Sequence, residues 1–263
     1  MLRQIYLFLA LLPCVFSHAL YNGNPSFPLM PEEGLFIPAE SWFGAKFGYE
    51  WDYTFNHPLK VKDPGDGIRR HVQTFQSMGN AAVVTLILRD RVEAYGTFGV
   101  MQAEIDQNPK SGTHLKYSTN QDFCWEVGGR AILIYWGKAQ LGVDAKYFEF
   151  SPSMQSVKAN GSSVNAKKIG MLDKEWQVGV SASYRLSWFI PYIGIKHCNV
   201  DLHFSELDAL SFIFPSKHES MSARHEIGVF LGFGLCPKRG FNVNAEVRLL
   251  DETSVTLSGD IRF

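Results

Sequence analysis

The stretch 42–55 alternates strictly: Phe43, Ala45, Phe47, Tyr49, Trp51, Tyr53 and Phe55 take odd positions, and Gly44, Lys46, Gly48, Glu50, Asp52 and Thr54 even ones. A period of two sends the first set to one face of a strand and the second to the other, and no helix produces it. In a soluble antiparallel sheet the apolar face would be a core, but here it is long, unbroken and heavily aromatic. A membrane-crossing strand needs roughly 9–11 residues and an outward apolar band edged by aromatic side chains. This stretch meets both conditions.

The same rule recurs along the chain. Strands are expected at 80–88 and 92–105, at 121–136 and 139–150, at 174–186 and 189–201, and at 224–235, 241–249 and 253–263. The register of 92–105 stays open, because Tyr95 and Phe98 fall on opposite faces. About ten strands result, with twelve still admissible. The links 56–79, 106–120, 151–173 and 202–223 are long and read as loops, while 89–91, 137–138, 187–188 and 236–240 are short; 250–252 is a brief link on the long side. Trp51, Trp125 and Trp176 lie toward the long-loop ends of their strands and Trp42, Trp136 and Trp188 at the short-turn ends, the two-girdle arrangement of a membrane barrel. The expectation is an all-β, transmembrane, antiparallel up-and-down β-barrel over 42–263.

At 46% hydrophobic and 14% aromatic residues the chain excludes disorder, and a net charge of −1 offers no basic excess for a nucleic-acid partner. Beyond the N-terminus no run of 18 apolar residues occurs, so any membrane insertion must use strands. Arg3, the apolar stretch 5–16 and Ser17, His18, Ala19 read as a signal peptide, 1–19, cut after Ala19. Cys14 as a lipid acceptor is the competing reading, disfavoured by Pro13 before it. Pro25, Pro28, Pro31 and Pro38 with Gly23 and Gly34 make 20–41 an extended N-terminal segment, expected on the periplasmic side. Export permits disulfides, but Cys124, Cys198 and Cys236 are three. Cys236, in a short turn, is the candidate for an intermolecular disulfide, against an idle thiol.

Several segments are similar to the chlamydial major outer membrane porins. Residues 19–30, with Gly23, Asn24 and Pro25, resemble that family's mature N-terminus, and 47–55 its first strand. Residues 175–186 with 191–196 resemble a central hairpin, and 247–252 with Ile261, Arg262 and Phe263 the C-terminus. The family's members are longer, with more strands, larger variable loops and denser cysteines. The resemblance implies a bacterial outer-membrane barrel of general porin character, in a short version whose lumen is narrow or closed. It also implies a trimer as the family's usual state, leaving open whether this chain forms a homo-oligomer.

Taking the polar face as lumen, the inward charges are Lys46, Arg130, Lys146, Arg185, Lys196, Arg248 and Arg262 against Glu50, Asp52, Glu126, Asp144, Glu226, Glu246 and Asp260. The two signs balance. They read either as the lining of a weakly selective pore or as internal salt bridges that plug a narrow barrel. Eight-strand barrels are filled by side chains and aqueous channels come near sixteen, so both readings stand at ten. Lumen-facing glycines such as Gly128, Gly142, Gly194 and Gly232 leave room and favour some aperture. His57, His71, His114, His203 and His218 fall in long loops without catalytic or metal spacing, so no catalytic residue, metal or cofactor is expected. The function expected is passive diffusion of small hydrophilic solutes or ions across the bacterial outer membrane. A structural or adhesive barrel with a plugged lumen is the alternative. The partners expected are outer-membrane lipid, those solutes, and the barrel-assembly machinery through a C-terminal strand ending on Phe263.

Overall fold

The computed structural model describes residues 21–31, 34–38, 41–64, 67–165, 168–211, 213–214, 217–237 and 240–263; the expected signal peptide and Cys14 lie outside them. One antiparallel sheet runs through β1 (Phe43–Asn56), β2 (Leu59–Val61), β3 (Thr74–Leu88), β4 (Val92–Lys110), β5 (Thr113–Thr119), β6 (Asp122–Trp136), β7 (Ala139–Phe150), β8 (Met154–Ala159), β9 (Ser162–Val164), β10 (Gly170–Tyr184), β11 (Phe189–Ser205), β12 (Glu219–Ala223), β13 (Ile227–Leu235), β14 (Phe241–Leu249) and β15 (Thr253–Arg262). Ten of these pair in chain order: β1, β3, β4, β6, β7, β10, β11, β13, β14 and β15. The last returns to the first, with Lys46 opposite Arg262 and Thr54 opposite Ser254, so the ring is closed. Closure satisfies every neighbouring backbone and leaves no edge, as hydrocarbon surroundings require.

Around the ring the outward positions carry the apolar residues. Phe47 faces Val84 and Ile261, and Leu231 faces Ile193 and Val247; all six are exposed. Trp42, Trp136 and Trp188 stand exposed at the turn end, and Trp176 is exposed toward the loop end. The inward positions between them hold Lys46, Asp52, Glu126, Lys196 and Arg248, all buried. Soluble-protein polarity is thus inverted within this band.

The long links are not loops. β3, β4, β10 and β11 run on past the apolar band, and the links carry β2, β5, β8, β9 and β12. The polarity turns over there. Along β11, inward Gly194 and Lys196 give way to Cys198, Val200, Leu202 and Phe204; along β4, inward Glu93 and Thr97 give way to Met101, Ala103 and Ile105. These pack with Leu59, Val61, Leu115, Tyr117, Val157, Leu207, Leu210 and Met221 into an apolar core inside the loop end. Two things break the parity of 92–105: Tyr95 is an aromatic on the inward face between Glu93 and Thr97, and beyond Phe98 the inward positions turn apolar as the surroundings change from lipid to water.

A charge on the outward face is expected to impair insertion. Leu231→Arg near the middle of β13 should cost about 2–4 kcal/mol, and Val243→Asp less, in folding into lipid vesicles. Urea titration read by heat-modifiable gel migration measures it. Leu231→Phe should be silent, because lipid accommodates the ring; a comparable loss from that change would put this face in a packed core.

Candidate functional site

The bore is crossed by three charge clusters. Near the turn end, Lys46 Nζ donates to Glu93 Oε1 at 2.5 Å, Arg130 pairs with Glu93 at 3.2 Å and with Asp144 at 3.3 Å, and Tyr95 Oη donates to Asp144 at 2.8 Å. In the middle, Arg248, with no exposed side-chain surface, meets Asp52 at 2.5 Å, Glu252 at 3.0 Å and Glu246 at 3.4 Å, and Thr256 also donates to Asp52. Beside it Lys196 pairs with Asp251 at 2.9 Å and with Glu252. Lys146 lies 3.9 Å from Glu126 and 4.0 Å from Asp144. At the turn end Arg262 reaches Asp90 at 2.6 Å.

Most residues expected in the lumen are therefore in it. Glu50 is buried in the same zone, and Asp260 accepts from Asn242 Nδ2 at 2.8 Å. Two depart from the set. Glu226 precedes the first residue of β13, where strand parity no longer governs, and is exposed, paired at 3.5 Å with His197. Arg185 follows the last residue of β10 and sits half-exposed at the turn-end rim. Four acids escaped sequence reasoning. Glu93 lay in the strand of uncertain register, and Asp90, Asp251 and Glu252 lie in short links where alternation carries no signal. Cys236 is buried against Met30 and Ile190 despite its turn position, which favours the idle thiol over the intermolecular disulfide.

The segment 21–31, expected outside the barrel, lies inside the bore. A buried peptide needs partners for its amides and carbonyls, and the lumen charges supply them. Glu246 accepts the backbone N–H of Asn22 and of Gly23, each at 2.9 Å, one on each carboxylate oxygen. Lys146 donates to the carbonyl of Tyr21, Arg130 to that of Asn22 at 2.8 Å, Lys46 to that of Phe27 at 2.5 Å, and Arg262 to that of Pro31 at 2.8 Å. Gln177 donates to the Asn22 side chain at 2.6 Å, and Ser26 Oγ lies 2.6 Å from Ser183 Oγ. The guanidinium of Arg130 also covers the Phe27 ring at 4.6 Å.

The room left by lumen glycines is taken. A Cβ on Gly128 would lie 2.5 Å from the Tyr95 ring, one on Gly232 2.5 Å from the Tyr192 ring, and one on Gly142 2.9 Å from Pro25. Gly194 likewise faces Phe230, the inward aromatic of β13. The aperture these glycines suggested is filled by rings and by the N-terminal segment, leaving a cavity of about 40 Å³ bordered by Phe27, Lys46, Glu50 and Arg130. Among the described residues no group of three or more His, Cys, Asp or Glu is arranged to hold a metal ion.

A closed ten-strand ring with an apolar exterior and a charged interior defines a membrane β-barrel of the outer-membrane class. The family model described as Chlamydia major outer membrane protein matches residues 157–211, the stretch containing β10 and β11. The major outer membrane porin of Chlamydia trachomatis serovar H is 22% identical, covering 100% of this chain and 99% of that protein; the Chlamydia abortus porin is 21% identical with the same coverage. The first alignment runs over 397 positions, more than this chain has residues, so the relative is longer. The resemblance read from the residues is borne out. Among solved structures, the outer membrane protease OmpT of Escherichia coli shares 12% identity at a TM-score of 0.41, covering 84% of this chain and 94% of that one.

Removing the central cation should leave Asp52, Glu246 and Glu252 buried without it. Arg248→Met is expected to destabilise the folded barrel by about 3–5 kcal/mol, measured by urea unfolding in lipid vesicles. Adding Asp52→Leu should restore part of that loss. No recovery would mean that packing, rather than charge, sets the cost.

Proposed function

We propose that this chain is a porin-like, multi-pass barrel of a bacterial outer membrane, passing small hydrophilic solutes or ions, and that 21–31 closes its path in the arrangement described. The observation that carries the closure is the double grip of Glu246 on the amides of Asn22 and Gly23, with cations on the neighbouring carbonyls. The names of the relatives support the porin reading. On this reading the chain is not an enzyme, the signal peptide 1–19 directs export, and the turn end faces the periplasm. Phe263 supports recognition by the barrel-assembly machinery: its N–H donates to Ala45 at 2.9 Å and its ring stacks on Phe36, in register with β15. Assembly into a homo-oligomer belongs to the same proposal.

A second reading, a structural or adhesive barrel, is favoured by the apolar core that fills the loop end. One experiment separates the two. Ser26→Cys with Ser183→Cys replaces a hydrogen-bonded pair by a tether between the segment and β10. In planar bilayers the oxidised pair is expected to be silent, and the reduced pair and wild type to show small, weakly selective openings. Equal conductance in both redox states would remove the segment as the closure. Silence of every folded, inserted preparation would put the structural reading first.

A further inference from the structure

We propose that the turn end of the barrel carries a binding site for the phosphate headgroup of an anionic phospholipid, built by Arg91 and Lys138 beside Tyr135; this rests on the membrane reading above. Three successive turns converge there. The N–H of Ile132 donates to the Arg91 carbonyl at 2.8 Å, tying the β3–β4 turn to β6, and the N–H of Arg185 donates to the Lys138 carbonyl at 2.9 Å, tying the β6–β7 turn to the end of β10. The Arg91 guanidinium lies 5.2 Å from the centre of the Tyr135 ring. The Tyr135 hydroxyl donates to the Asp90 carbonyl at 3.4 Å.

Asp90 is drawn inward by Arg262 at 2.6 Å. Among the described residues no carboxylate forms an ion pair with Arg91 or Lys138, and both side chains are exposed. The apolar surroundings select a lipid over a free anion. The β6–β7 hairpin reaches past Ala131, which pairs with the first residue of β4, and exposes Leu133, Ile134 and Trp136, the last at 84%. Cations beside exposed tryptophan and leucine match a phosphate with acyl chains below it, at the depth where aromatic rings and basic residues meet the headgroups.

The test uses the full mature chain, folded in neutral detergent and checked by heat-modifiable migration. It is titrated with phosphatidylglycerol or phosphatidylcholine carrying brominated chains, while tryptophan fluorescence is read. The expected result is quenching by phosphatidylglycerol at a concentration at least tenfold below that for phosphatidylcholine, with most of the signal lost in Trp136→Phe. Arg91→Gln with Lys138→Gln should weaken it by about 30-fold while the barrel stays folded, roughly fivefold for each charge removed. Should the double variant fail to fold, Lys138→Gln alone, in an exposed turn, should weaken it about fivefold. Equal response to the two lipids, an unchanged affinity in the variants, or displacement of the lipid by equimolar inorganic phosphate would each overturn the site. A wild-type chain that never shows heat-modifiable migration would instead overturn the membrane reading on which it stands.

Discussion

The pairing of β15 with β1 is the interaction on which the rest depends. In hydrocarbon an unpaired strand edge costs several kcal/mol for each polar group, so the sheet must close or not enter at all. Closing it with ten strands makes the bore narrow, and the alternation that turns aromatics to lipid turns charges into that bore. Lys196, Glu246 and Arg248 are then removed from bulk water without being given an apolar environment to avoid. Charges so placed persist only with partners, and the clusters around Arg130, Arg248 and Lys196 are the partners they find.

Side chains alone do not complete that pairing. Carboxylate Glu246 and cations Arg130, Lys146 and Lys46 reach further partners on a backbone, that of 21–31, whose own amides and carbonyls would otherwise be buried unmet. The two requirements answer each other. Glycines at the wall make the fit geometrically feasible, since Pro25 lies against Gly142 where any Cβ would intrude. Such mutual dependence suits a segment that can be held in place yet released, because its backbone contacts are polar and can be exchanged for water, with Phe27 and Met30 adding apolar ones.

Beyond the apolar band the same strands obey the opposite rule. Water lies outside, so the inward face of β4 and β11 becomes apolar and gathers the short strands of the long links over it. The barrel therefore has two different ends: a crown with a core of its own, and a rim of tight turns carrying exposed tryptophan and the exposed cations Arg91 and Lys138. One end is built by hydrophobic packing, the other by contact with an interface.

Strand number, chain-order pairing and the inside and outside of the membrane zone were legible in the sequence, because alternation is local: Phe47 and Lys46 report the medium on each side of a strand whatever lies across the barrel. Where that medium changes along a strand, as between Phe98 and Met101, the local signal cancels, and only the folded sheet shows which face is inward. Glu226 went wrong, and Cys236 is buried despite its turn position, for a related reason, since at a strand end or turn the neighbours decide exposure and parity does not. Glu93, Asp251 and Glu252 gave no sign of their pairing with Arg130 and Lys196, because an ion pair across a bore joins residues far apart in the chain. The sequence by itself determined the wall of this protein; what occupies the wall's interior was decided by tertiary structure, because a buried charge takes whichever partner the closed ring brings within reach.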